Sequence, residues 1–135
     1  MVEVILVSHG SYAKAMLESS ELITGEQKNV TAFGFDLGEN VEDLKNRIEE
    51  RIKEIKSRTP EADILVLTDM KSGSPFNVTT RLMEDYQFEH VAGVNLPLLL
   101  EVLVTRDDAT AKEMKDMMME MGSETIVDVN KLMEN

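Results

Sequence analysis

The chain has 135 residues, 42% of them hydrophobic, which is enough apolar side chain to close a core and fits one domain over residues 1–135. Fourteen Lys and Arg (14) against 26 Asp and Glu leave a formal charge of −12, and that field excludes non-specific binding to nucleic acid and insertion into anionic membranes. No cysteine is present, which excludes a disulfide framework, a thiol nucleophile and a Cys-ligated zinc or iron–sulfur site, and suits a reducing cytosol.

The elements are predicted in chain order. Residues 2–7 form a Val- and Ile-rich strand that stops at Ser8-His9-Gly10-Ser11. The apolar run is too short and wrongly flanked for a signal segment or a membrane span, so a cytoplasmic protein is expected. Helical spacing of Ala13, Met16, Leu17, Ser20 and Ile23 predicts a first helix over residues 12–23, with Gly25 as its C-cap. Alternation over residues 30–35 predicts a strand, and Asn40 caps a long helix whose core stripe is Val41, Leu44, Ile48, Ile52 and Ile55. The mixed charges on its other faces read as a solvated surface.

After Pro60, residues 62–67 form a continuous apolar run, as in a strand buried on both faces, ending at Thr68-Asp69. Further expectations are a helix over 75–86, a strand over 88–94, helices over 97–104 and 111–121, and a short strand over 125–129. Asp107-Asp108 is read as a helix N-cap, and the methionines from Met114 to Met121 mainly as core. Strands alternating with helices at this rhythm predict an α/β fold with an open, mostly parallel sheet and helices on both faces.

In such sheets ligands bind beyond the carboxyl ends of the strands, where successive connections leave in opposite directions. If the order begins 2-1-3, as in flavodoxin-like domains, the loops after the first and third strands face each other, and these carry His9 and Asp69. A neutral imidazole is a good nucleophile, and a carboxylate bonded to one ring nitrogen fixes the tautomer and stabilises the imidazolium. The pair therefore suits a phosphoryl-accepting histidine.

Phosphoryl transfer asks mainly for in-line positioning and for donors aimed at the phosphoryl oxygens. Beside Asp69, the run Lys71-Ser72-Gly73-Ser74-Pro75 offers a helix start with Ser74 as N-cap, Pro75 as first helical residue and Gly73 allowing close approach; Gly10-Ser11 opens a second start beside His9. Taken singly, each signal has a structural explanation: a satisfied polar residue, a turn cap, an ordinary helix start. His90, inside a predicted strand, is read as structural. The two histidines show no metal-ligand spacing.

Several segments together resemble the IIA components of the mannose-type sugar phosphotransferase system: Val7-Ser8-His9-Gly10, Thr24-Gly25-Glu26-Gln27-Lys28-Asn29-Val30, Gly38-Glu39-Asn40, Gly73-Ser74-Pro75-Phe76-Asn77 and Ala92-Gly93-Val94-Asn95-Leu96-Pro97. They stand in family order along nearly the whole chain. The resemblance implies strand order 2-1-3-4, phosphorylation of His9 on Nε2 by phospho-HPr, and transfer onward to a IIB component, with membrane IIC and IID components acting downstream. It matches Asp69 to the aspartate that orients the histidine and Ser74 to a serine at the phosphoryl group, with Ser72, Gly73 and Gly10 as further phosphate-binding positions. It implies no metal or dissociable cofactor. It also implies a homodimer in which residues 125–129 form an antiparallel edge strand on the partner's sheet. Residues 70–73, Met-Lys-Ser-Gly, depart from the aromatic residue and paired glycines common in mannose-transporting members. Two other readings are a phosphocarrier domain serving a dihydroxyacetone kinase and a flavodoxin-like binding or receiver module.

Overall fold

The computed structural model describes residues 1–134. In chain order the elements are β1 (Glu3–His9), α1 (Tyr12–Thr24), β2 (Val30–Phe35), α2 (Val41–Arg58), β3 (Ile64–Thr68), α3 (Ser74–Leu82), β4 (Glu89–Ala92), α4 (Leu96–Thr105) and α5 (Ala111–Met121). A 3₁₀ turn (Gly122–Thr125) and the short α6 (Val129–Leu132) follow. Among the described residues, no helix is long and apolar enough to cross a membrane.

The four strands form one parallel sheet in the order β2-β1-β3-β4. Two-residue periodicity divides their side chains between two apolar layers. Val4, Leu6, Leu65 and Leu67 meet Ala13 and Met16 of α1, Leu99 and Val102 of α4, and Met114 and Met118 of α5. Ile5, Val7, Ile64 and Val66 face the other way, against Leu44, Ile48, Ile52 and Ile55 of α2 and Val78 and Leu82 of α3. Helices on both faces thus explain why β1 and β3 read as unbroken apolar runs.

Several element ends differ from expectation, each for a local reason. The strand over 88–94 is only Glu89–Ala92, because Gly93 turns the backbone to φ +102°. The helix over 75–86 ends at Leu82 and unwinds through turns closed by Met83, Glu84 and Asp85. Asp107 and Asp108 do not cap α5. Thr110 does, its hydroxyl accepting the Glu113 N–H while the Glu113 carboxylate accepts the Thr110 N–H. In the first-helix stripe Ile23 is exposed, and in the α2 stripe Val41 is too, since both sit at helix ends beyond the sheet's cover. Met114 and Met118 are core and Met117 and Met121 pack against it, whereas Met119 is exposed.

The short strand expected over 125–129 is absent from this chain's own sheet. Thr125 closes the 3₁₀ turn through a hydroxyl bond to the Gly122 carbonyl, and Asp128 caps α6 by accepting the Lys131 N–H. A strand needs a neighbour to satisfy its backbone, and without one these residues take local hydrogen bonds.

Candidate active site

His9 is the last residue of β1 and Asp69 the first after β3, so adjacent parallel strands deliver them to the same carboxyl end of the sheet. The Asp69 side chain turns back over β1. Its Oδ2 accepts the His9 backbone N–H at 2.9 Å and lies 2.8 Å from His9 Nδ1. An ionised carboxylate only accepts, so Nδ1 carries the ring proton and Nε2 of the neutral ring keeps its lone pair. The histidine side chain is 46% exposed and the aspartate 12%. The ring is therefore anchored on its Nδ1 edge and half exposed to solvent. Asp69 Oδ1 is buried without a hydrogen-bond partner, so the carboxylate's whole donor set lies on the His9 side.

The loop after β3 passes beside Nε2. Gly73, at φ +87°, comes so near that a Cβ there would stand 2.6 Å from Nε2 and 2.8 Å from Cε1 of His9. Only glycine supplies both the left-handed backbone and the space. Gly73 itself is the N-cap of α3, and no side chain caps the helix. Ser74 was expected in that place and is instead the first helical residue, with Pro75 second. By helix geometry the amides of Ser74 and Phe76 have no helical acceptor, and Pro75 has no N–H, so this terminus presents donors and a partial positive charge. Among the described residues, no hydrogen bond links Ser72 or Ser74 to His9, and Ser72 is exposed.

Gly10 sits on the other flank at φ +53°, its N–H donated to the Phe35 carbonyl at 2.9 Å. Gly34 makes this possible: a Cβ on it would lie 2.2 Å from the Gly10 carbonyl oxygen. Ser8, one residue before His9, is buried and points to the opposite face, where its Oγ accepts the Ala13 N–H of α1 at 2.7 Å. Neither residue was singled out from the sequence. Ser8 had a readable signal, a hydroxyl in an otherwise apolar strand just before a helix start; Gly34 had only its place in a strand.

A cavity of about 430 Å³ opens beside the imidazole, lined by His9, Gly10, Phe35, Leu37 and Glu39 among others. Arg47 braces its rim, pairing with Glu39 and donating to the Gly34 carbonyl at 3.0 Å. Leu37, at the tip of the turn closed by Glu39 N–H to Asp36 O, projects fully into solvent. His90 is not among the residues lining this opening; it lies within a strand, β4, as expected, and is partly buried. Burial pushes its imidazole down to about 4, so it stays neutral. Among the described residues, no group of three or more His, Cys, Asp or Glu could hold a metal ion.

The arrangement is a half-exposed imidazole, backed by a carboxylate and flanked by two glycine-bearing helix starts. It is suited to accept and release a small anionic group. The family described as PTS system fructose IIA component matches residues 3–119. The chain is 34% identical over 126 residues to the PTS system fructose-specific EIIA component of Bacillus subtilis (strain 168), covering 93% of this chain and 84% of that protein. It is 35% identical over 108 residues to the mannose-specific EIIAB component of Escherichia coli (strain K12), where the match takes in 79% of this chain but only 32% of the longer relative. Among solved structures, phosphotransferase system component EIIA from Streptococcus agalactiae superimposes with a TM-score of 0.87 at 30% identity, covering 97% of this chain and 99% of that one. The chain belongs to the mannose-type IIA family of the sugar phosphotransferase system.

Proposed function

We propose that residues 1–135 act as one cytoplasmic phosphocarrier domain, in which His9 takes a phosphoryl group from phospho-HPr and passes it to a IIB component. The observation that carries this reading is the 2.8 Å contact between Asp69 Oδ2 and His9 Nδ1, which leaves Nε2 as the nitrogen with the free lone pair on a half-exposed ring. Nε2 attacks the phosphorus in line. The new N–P bond forms as the donor's P–N bond breaks, and the donor imidazole leaves with that electron pair. Asp69 keeps Nδ1 protonated and offsets the positive charge that develops on the ring. The free amides at the α3 start and the Ser74 hydroxyl stabilise the phosphoryl oxygens, with Gly73, Ser72 and Gly10 as the close backbone around them. Reversal onto a IIB acceptor regenerates His9, and the sugar is handled by IIB with the membrane IIC and IID components.

A receiver-type acyl phosphate would have to form on Asp69. Its Oδ2 is engaged twice and its Oδ1 is buried, which disfavours attack from that side chain. The function is tested by incubating the chain with phosphoenolpyruvate, enzyme I and HPr, then adding a IIB component. The parent should gain and then lose a phosphoryl group. His9→Gln should gain none, and an undiminished adduct on His9→Gln would end the assignment.

The same reading includes a homodimer with exchanged C-terminal strands. Ile126, Val127 and Val129 are 85%, 55% and 58% exposed, a run of apolar side chains with no cover in one chain. β4 is an edge strand, and a cavity of about 350 Å³ beside it is lined by Val91, Gly93, Met118 and Ile126. Such an edge invites a partner strand. Truncation before Thr125 should shift sedimentation equilibrium toward monomer, and a truncated protein as tightly dimeric as the parent would refute exchange.

A further inference from the structure

Gly73 and Asp69 must hold their places to within fractions of an ångström for His9 to present Nε2, yet both lie in a loop that is exposed through residues 70–72. One side chain touches the anchorage of both ends of that loop. His90 Nε2 lies 2.9 Å from the hydroxyl of Thr68, the residue immediately before Asp69. The other side of the ring meets Phe76, in the first turn of α3, with centroids 5.5 Å apart and planes tilted by 43°.

Sheet register explains the first contact. His90 pairs with Val66 and Ala92 with Thr68, so His90 and Thr68 are diagonal neighbours on the α3 side of the sheet, within reach of a ring. Thr68 is wholly buried, and its carbonyl accepts the N–H groups of Gly93 and Val94 at 2.9 and 3.2 Å. The Asp69 N–H in turn bonds to the Val7 carbonyl at 3.2 Å. The second contact works through α3, where the Asn77 N–H is donated to the Gly73 carbonyl at 2.9 Å, so a shift of the first turn carries Gly73 with it.

We infer that His90 is a positioning residue for phosphoryl transfer: by bonding Thr68 and packing on Phe76 it sets the spacing between the Asp69 carboxylate and the Gly73 backbone on either side of the His9 ring. It rests on the function proposed above and adds a residue to it. His90 makes no hydrogen bond to His9 and does not line the cavity beside the imidazole, so its effect should fall on the chemical step and not on partner affinity.

The two contacts can be separated. His90→Phe keeps an aromatic ring on Phe76 and loses the Thr68 bond; His90→Gln keeps a hydrogen-bonding group for Thr68 and loses the ring; Thr68→Val removes the same bond from the other side. Single-turnover transfer from phospho-HPr should slow about tenfold in His90→Phe and in Thr68→Val, with the donor concentration at half-maximal rate unchanged, and His90→Gln should recover part of the loss. In the unphosphorylated proteins the His9 Nδ1–H resonance should move in His90→Phe and return toward the parent position in His90→Gln. Thermal melts of each variant separate unfolding from misplacement. If the parent accepts phosphoryl groups while folded His90→Phe and Thr68→Val match it in both rate and resonance, the inference is overturned. A parent that accepts none overturns the proposed function instead, and the resonance comparison still decides whether His90 controls the His9 ring.

Discussion

Gly73→Ala is the substitution whose consequences follow most directly from the geometry. Two costs are expected and they act on different quantities. The first is backbone strain: at φ +87° an L side chain costs about 1–2 kcal/mol of stability. The second is collision, since the added Cβ would stand 2.6 Å from His9 Nε2, closer than any real pair of such atoms. His9 is half exposed, so its ring can swing outward at the expense of the 2.8 Å bond to Asp69. The fold therefore survives while the nucleophile is displaced and its flank filled, and transfer from phospho-HPr should fall about a hundredfold. Gly25→Ala is the control. Gly25 has φ +84° but open space around its missing Cβ, so it should show a similar loss of stability with normal transfer. Urea unfolding and quench-flow kinetics measure the two effects separately. Normal transfer by Gly73→Ala, or an equal kinetic loss in Gly25→Ala, would refute the steric argument.

Asp69→Asn leaves an oxygen able to accept both His9 bonds but removes the charge that offsets the imidazolium, so transfer should slow roughly tenfold to a hundredfold with little change in stability; unchanged quench-flow rates would show that Asp69 is only a cap. Arg106→Met should destabilise the fold by roughly 2–4 kcal/mol in chemical denaturation, because the buried guanidinium donates to the carbonyls of Val2, Lys28 and Asn29 and to Gln27 Oε1; a loss under about 0.5 kcal/mol would mean water replaces it. His90 sits near 4 in the folded chain against an ordinary 6.5, so the unfolded chain binds the extra proton first. Its share of stability is intact above about 6.5 and is lost as pH falls toward 4. The shift is worth about 3 kcal/mol at full value and about 2 after allowance for the partly exposed ring, and His90→Gln should flatten that part of the stability–pH curve.

The sheet was legible because burial on both faces leaves its mark as unbroken runs at Val4–Val7 and Ile64–Leu67, and because Asn40 and Gly25 sit where helix ends need them. His9 and Asp69 were legible as strand ends, and parallel pairing in the order 2-1-3-4 brings them together. Contacts between distant segments were not. Nothing in the local pattern around Gly34 foretells a carbonyl 2.2 Å from its missing Cβ, and nothing around His90 foretells Thr68 and Phe76. Helix starts were misplaced where two candidates stood close together: Gly73 took the cap from Ser74, and Thr110 took it from Asp107-Asp108, because backbone geometry selects one of several competent residues. Residues 125–129 show the remaining gap, since an alternating apolar segment becomes a strand only when an edge is offered to it.

The central claim concerns one nitrogen of one side chain. After incubation with phosphoenolpyruvate, enzyme I and HPr, fragmentation mass spectrometry of the phosphorylated chain, with parallel samples held in acid and in alkali, reads both the position and the chemistry of the adduct. A phosphoryl group on the peptide bearing His9, lost in acid and retained in alkali, is the expected result. An adduct that is lost in alkali and maps to Asp69, or no adduct at all, would contradict it.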